Sequence, residues 1–134
     1  MNIKRFIGMV VAGLIFTVVY EMGVHQYLLT SMYEETSHLW RTPEEMEAFC
    51  MLGMGSRLIL VAVLAFIFTR NFEGKGIGEG VRFGMYLGLY TGVGQAATYV
   101  YMPISMELAA AWLATTVLYT VVIGAVFALI YKND

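Results

Sequence analysis

Four long apolar runs organise this chain, over residues 6–29, 49–69, 81–102 and 108–131. At about 1.5 Å per residue, each can cross a hydrocarbon core of about 30 Å. The expected fold is all-α: a four-helix bundle integral to a membrane, forming one domain over residues 1–134.

Polar and turn-forming residues between the runs predict the connections. After the first run, Leu28, Met32, Thr36, Leu39 and Trp40 recur at three- and four-residue steps, the spacing of a helix stripe. A short amphipathic helical segment is expected there, in the first outer loop. Tyr33 and Trp40 would serve as aromatic anchors at the membrane–water boundary. In "RTPEEME", Thr42 suits an N-cap, Pro43 the first helical position, and Glu45 closes a capping box. The second helix is therefore expected to begin near Pro43, in water. The glycine- and charge-rich "RNFEGKGIGEG" predicts the most flexible connection, with Glu79 and Arg82 solvated or against lipid head groups. Pro103 ends the third run and Ser105 caps the fourth, so the last two helices form an antiparallel hairpin.

The third run carries a second pattern. Gly80, Gly84, Gly88, Gly92 and Ala96 recur at every fourth position. Small residues at that spacing form a groove that a second helix can enter closely, a glycine zipper. Such packing matters in lipid, where no hydrophobic force joins helices. Packing within one bundle is the expected use, and a homodimer or partner interface is the alternative.

Polar residues also interrupt the runs, at matching depths. Counted from the Lys4–Arg5 end, Glu21 lies about 22 Å along the first helix and His25 about 28 Å. Arg57 lies at about 18 Å, Gln95 at about 21 Å, Tyr99 at about 27 Å, and Thr115, Thr116 and Tyr119 at about 18–24 Å. Arg57 cannot leave its span, because the residues between it and Arg70 cover only about 18 Å. An arginine inside a span costs about 2.5–3.5 kcal/mol on insertion scales unless it is paired. Glu21 is the only acid deep in any run. A Glu21–Arg57 ion pair between the first two helices is expected, with Gln95 and a tyrosine or threonine beside it. Two uses of the layer stay open: fixing helix register, or holding a substrate, ion or proton.

His25 follows Glu21 by one helical turn, and both can face one metal ion, with Cys50 and His38 as further donors. Haem ligation through His25 would require another ligand or a dimer interface. The expected role is simpler: a hydrogen bond to Glu21, water or a carbonyl. No metal and no cofactor enters the expected site. Trp112 reads as an interfacial anchor.

Composition strengthens the membrane reading. The chain is 59% hydrophobic and 13% charged, against about 45–50% and 25% in soluble domains. A net charge of −2 without a basic stripe argues against nucleic acid as a partner. The single cysteine, Cys50, excludes an internal disulfide. Lys4, Arg5, Arg70, Lys75, Arg82 and Lys132 fall on one side and Arg41 on the other, so both termini are expected in the cytoplasm. The first run is read as a retained helix rather than a signal peptide, because it is long and carries Glu21. The expected location is the inner (plasma) membrane, multi-pass.

The segments "EMGVHQYLL", "LWRTPEEM", "EGKGIGEGVRFG" and "YMPIS" together resemble short, uncharacterised four-span proteins of bacterial inner membranes. The resemblance implies membrane location and no specific activity. In outline, through Glu21 alone, the chain is also similar to the small multidrug transporters. That similarity implies a dimer in which an intramembrane glutamate couples protons to cationic drugs. The long outer loop and Arg57 depart from that pattern. The expected function is a non-enzymatic accessory, interaction or small-ligand-binding module in the lipid bilayer, alone or within a homodimer or larger complex. A small transporter or channel-like protein built on the same polar layer is the alternative.

Overall fold

A computed structural model describes residues 1–131; Lys132, counted above among the cytoplasmic charges, lies outside the described residues. The described chain is helical, and no strand occurs in it. Six α-helices follow one another: α1 (Ile3–Glu21), α2 (Thr30–Glu34), α3 (Pro43–Ala48), α4 (Cys50–Arg70), α5 (Ile77–Ala96) and α6 (Met106–Ile130). Three stretches are long and apolar enough to cross a membrane: Ile3–Leu28, Cys50–Arg70 and Met106–Ile130. These helices make the chain a candidate membrane protein. α5 is not among them. Its glycines, Glu79, Arg82 and Gln95 dilute its mean hydropathy.

α6 is the hub, with α5 packed along one side and α1 and α4 on another. α5 and α6 run antiparallel and approach more closely than side chains would permit. Gly80, Gly84, Gly88 and Gly92 are all buried. A Cβ on Gly80 would strike the backbone of Gly124, and one on Gly84 the backbone of Thr120 and Val121. A Cβ on Gly92 would sit 3.0 Å from Leu113 Cδ1. Ala96, last in the row, is half-buried against the Trp112 cluster. Gly13 plays a similar part where α1 meets α4 and α6, since a Cβ there would lie 2.8 Å from Val61 Cγ1 and 3.0 Å from Phe127.

One end of the molecule is closed by rings. Phe68 of α4 meets Phe83 of α5 at 5.3 Å and Phe127 of α6 at 6.0 Å, and Tyr131 packs on Phe72 at 5.0 Å. The backbone amide of Asn2 donates to the Tyr131 hydroxyl at 3.3 Å, so the N-terminus, the end of α4 and the end of α6 gather here. The 71–76 connection is tied rather than loose. Glu79 is buried, and its carboxylate accepts the backbone amides of Glu73 at 2.6 Å and Lys75 at 2.8 Å. Gly74 and Gly76 adopt positive φ, +75° and +73°, to make that turn. Exposed Glu73 pairs with Lys75 at 2.5 Å and Arg82 at 3.6 Å. The Lys75 contact holds its carboxyl below the usual carboxylate range. The solvated Glu79 and flexible loop expected from sequence are thus corrected: a buried carboxylate organises the turn.

The opposite end is closed by the first connection. The capping box is present: Thr42 Oγ1 accepts the Glu45 amide at 3.3 Å, and Glu45 returns a carboxylate to the Thr42 amide at 3.0 Å. It starts the separate short helix α3, which breaks at Phe49 before α4 begins. The first helix also departs from expectation. After Glu21 it widens into a π-helical segment, Met22–Leu28, and the Leu29 amide reaches back five residues to the Val24 carbonyl at 2.9 Å. The extra residue moves the apolar stripe by one: Leu29 is buried where Leu28 was expected, and Leu28 is exposed. Leu29, Met32, Tyr33, Leu39 and Trp40 then fold over Ile104, Leu108 and Trp112.

Candidate functional site

Between the two closed ends, polar side chains converge on α1. Arg57 of α4 donates through Nε to Glu21 Oε2, joining the two helices in an ion pair. The Arg57 side chain extends along α4 toward Gly53, where a Cβ would press its Nη1 at 3.1 Å. The arginine therefore reaches along α4 toward the first connection to meet the acid, as its long apolar stem allows, and glycine one turn away leaves the room. The pair is not sealed: the two side chains keep 37% and 34% of their surface. No other hydrogen bond joins the Arg57 Nη groups to the described residues.

Around the pair, each helix contributes a bonded polar group. Thr17 Oγ1 donates to the Gly13 carbonyl at 2.7 Å and lies 2.8 Å from the Tyr119 hydroxyl on α6. Tyr20 donates to the Thr115 carbonyl at 2.7 Å. Thr116 donates to Gln95 Oε1 at 3.1 Å, which leaves the Gln95 amide N–H groups without a partner among the described residues. Outward from these, His25 Nδ1 lies 2.7 Å from the Tyr33 hydroxyl, which also accepts the Trp112 indole N–H at 2.9 Å. Having accepted once, the Tyr33 hydroxyl can donate its own proton to Nδ1. Burial raises the Tyr33 phenol above its ordinary value, the bond from Trp112 opposing, so the proton stays on at neutral pH.

Three adjoining cavities open on this layer, and Glu21 lines all of them. The outer one, named for its place at the end of the molecule closed by the first connection, is about 770 Å³ and lies between Trp40, Met46, Met54 and Arg57. A deeper one, about 240 Å³, is lined by Tyr20, His25, Gln95, Trp112 and Thr116. The third, about 320 Å³, is a cleft between α4 and α5 with an apolar wall from Leu60, Val63, Leu64 and Ile67. The outer volume lies within the roughly 300–1,000 Å³ usual for small-molecule sites.

Several sequence-derived expectations change here. Glu21, Arg57, Gln95, Tyr119 and His25 are brought to one region, but His25 bonds to Tyr33 rather than to Glu21 or a carbonyl. Tyr99 is exposed on the 3₁₀ turn Ala97–Val100 and lines none of the three cavities. Thr115 turns its hydroxyl to the Ala111 carbonyl at 2.7 Å and offers only its own carbonyl to Tyr20. Trp112 is buried, a hydrogen-bonded wall and not an interfacial anchor. Cys50 is exposed, and among the described residues no three His, Cys, Asp or Glu side chains converge as metal ligands. Thr116, placed in the layer from its depth on the fourth run, bonds Gln95 there, and Tyr20, Tyr33 and Trp40 join the site without having been assigned to it. Tyr20 neighbours Glu21 in the first run, whereas Tyr33 and Trp40 lie beyond it, where amphipathic aromatics read as boundary anchors. No protein-family model, curated protein or solved structure matches the chain.

Proposed function

We propose that the chain is a four-span inner-membrane protein that binds a small ligand in its outer half, as a non-enzymatic module, with both termini in the cytoplasm. The observation that carries the reading is that Glu21 lines three adjoining cavities. A pair serving helix register alone gains nothing from open volume on every side. The Tyr33 hydroxyl beside His25 already accepts the Trp112 indole N–H and serves to close the site, an arrangement that favours binding over catalysis.

Connectivity supports the fourth crossing. α6 ends beside Phe68 and Asn2, at the same end where α4 finishes. The chain must therefore return to the far end before α6 begins, and α5 makes that return. Its 20 residues span about 30 Å. The basic residues Lys4, Arg5, Arg70 and Lys75 fall at the shared end, which supports a cytoplasmic assignment. The glycine row is buried within the chain, which favours the intrachain use over a homodimer seam.

Transport is the second reading, favoured by the lateral cleft. It requires a second opening at the end that Phe68, Phe83 and Phe127 now close. A drug-coupling role like that of the small multidrug transporters is weaker, because Arg57 already neutralises the acid.

The test is aqueous access. In a Cys50→Ser background, Gln95→Cys should react with a charged, membrane-impermeant thiol reagent added from outside intact cells. Leu58→Cys, on the exposed face of α4 one residue from Arg57, should not react. Failure of Gln95→Cys to label in a folded protein would close the cavity and remove the reading.

A further inference from the structure

We infer that the site takes a neutral, carbonyl-bearing planar ring with a single apolar chain: a membrane quinone. This rests on the ligand-binding reading above and specifies its ligand class. The deep polar layer presents donors in excess. Arg57 spends only Nε on Glu21, and the Gln95 amide spends only its oxygen. Both residues line the outer cavity. Gln95 is exposed and about a third of the Arg57 side chain is accessible, so these N–H groups stand open to a guest, and an acceptor on it can take them.

The acceptor is neutral, because Glu21 already balances the Arg57 charge. An anionic head would bring an uncompensated charge into a low-dielectric layer. The walls are aromatic: Trp112 and Tyr20 line the deeper cavity, and Trp40 stands edge-on to Trp112 at 6.3 Å. Such rings favour a planar guest over a branched polar one. Met22, Met46 and Met54 add adaptable surface to the outer cavity.

The place for a chain is the α4–α5 cleft. It meets the polar cavities at Glu21 and Arg57 and runs between Leu60, Ile67 and Leu87. Phe68 against Phe83 stops it at the inner end, so a chain entering there must leave sideways into lipid.

The chain contains two tryptophans, and both line the outer cavity, so indole fluorescence reports occupancy directly. The full-length protein in phosphatidylcholine nanodiscs is titrated with a decyl-chain ubiquinone. Saturable quenching is expected. Gln95→Leu should weaken half-saturation about tenfold, the usual effect of one lost hydrogen bond to a ligand. If Gln95→Leu does not fold, Thr116→Val, which removes the hydroxyl that orients the Gln95 amide, should weaken binding in the same direction. Thr91→Phe, which fills the cleft, should weaken the decyl compound about tenfold and leave the chainless quinone unchanged. Linear, non-saturating quenching overturns the inference, as does saturation unchanged by both polar variants. Recovery of the quenched fluorescence by decanoate at concentrations below the half-saturation of the quinone makes the head anionic and also overturns it. Labelled Gln95→Cys with no quinone quenching defeats this inference alone, whereas unlabelled Gln95→Cys defeats the site itself.

Discussion

Arg57 and Glu21 each make the other tolerable within helices apolar enough to cross a membrane. Arg57→Ala leaves the carboxylate with no cation, and Glu21→Ala leaves the guanidinium with no acid. Because about a third of each side chain is accessible, the single loss should cost about 2 kcal/mol, below the roughly 3–5 kcal/mol of a sealed pair. The double change Arg57→Leu with Glu21→Leu removes both charges and should recover most of the stability. Thermal melting in detergent measures the cycle, and a double mutant as unstable as Arg57→Ala would defeat the pairing account. The partnership was legible in the sequence, because a span can hide only so many charges and only one acid was deep enough. The partner of His25 was not. It depends on Tyr33, eight residues away, folding back over the helix end, and nothing in the local pattern shows that return.

Helix boundaries show the same division. The capping box at Thr42 and Glu45 depends on residues three apart, so it was readable. The π-helical segment Met22–Leu28 was not, because its wider turn is chosen by tertiary packing rather than by local propensity, and such segments often mark functional sites. The glycine row was visible as a period of four, but its partner was visible only in part, as small residues on the fourth run. The structure turns the row into a prediction with a built-in control. Gly84→Ala places a methyl against the backbone of Thr120 and Val121 and should destabilise by about 1–3 kcal/mol. Gly94 lies on the same helix with nothing within 4 Å. Gly94→Ala should be neutral or stabilise by up to about 1 kcal/mol, the helical cost of glycine relieved. Equal melting shifts for the two variants would show that the close approach of α5 to α6 carries no energy.

At the scale of the whole molecule, hydropathy and connectivity disagree about α5. Averaged over its length the helix is too polar to count as a span. The average mixes two faces, however. The glycines lie against α6, while Met85, Leu89 and Val93 are exposed and would meet lipid. A helix needs an apolar surface only where it has no protein neighbour, so α5 can cross beside α6 when it could not cross alone. Single cysteines in the Cys50→Ser background decide the matter. Ser31→Cys, in the first connection, should react with an impermeant reagent from outside, and Asn71→Cys, after α4, should react only once the membrane is opened. Tyr101→Cys is the discriminating position, since it follows α5 and is 84% exposed. With four crossings it labels with residue 31. If α5 stays on the inner side it labels with residue 71, α6 must then run in the opposite sense, and the meeting of Tyr131 with Asn2 at one end of the molecule could not survive.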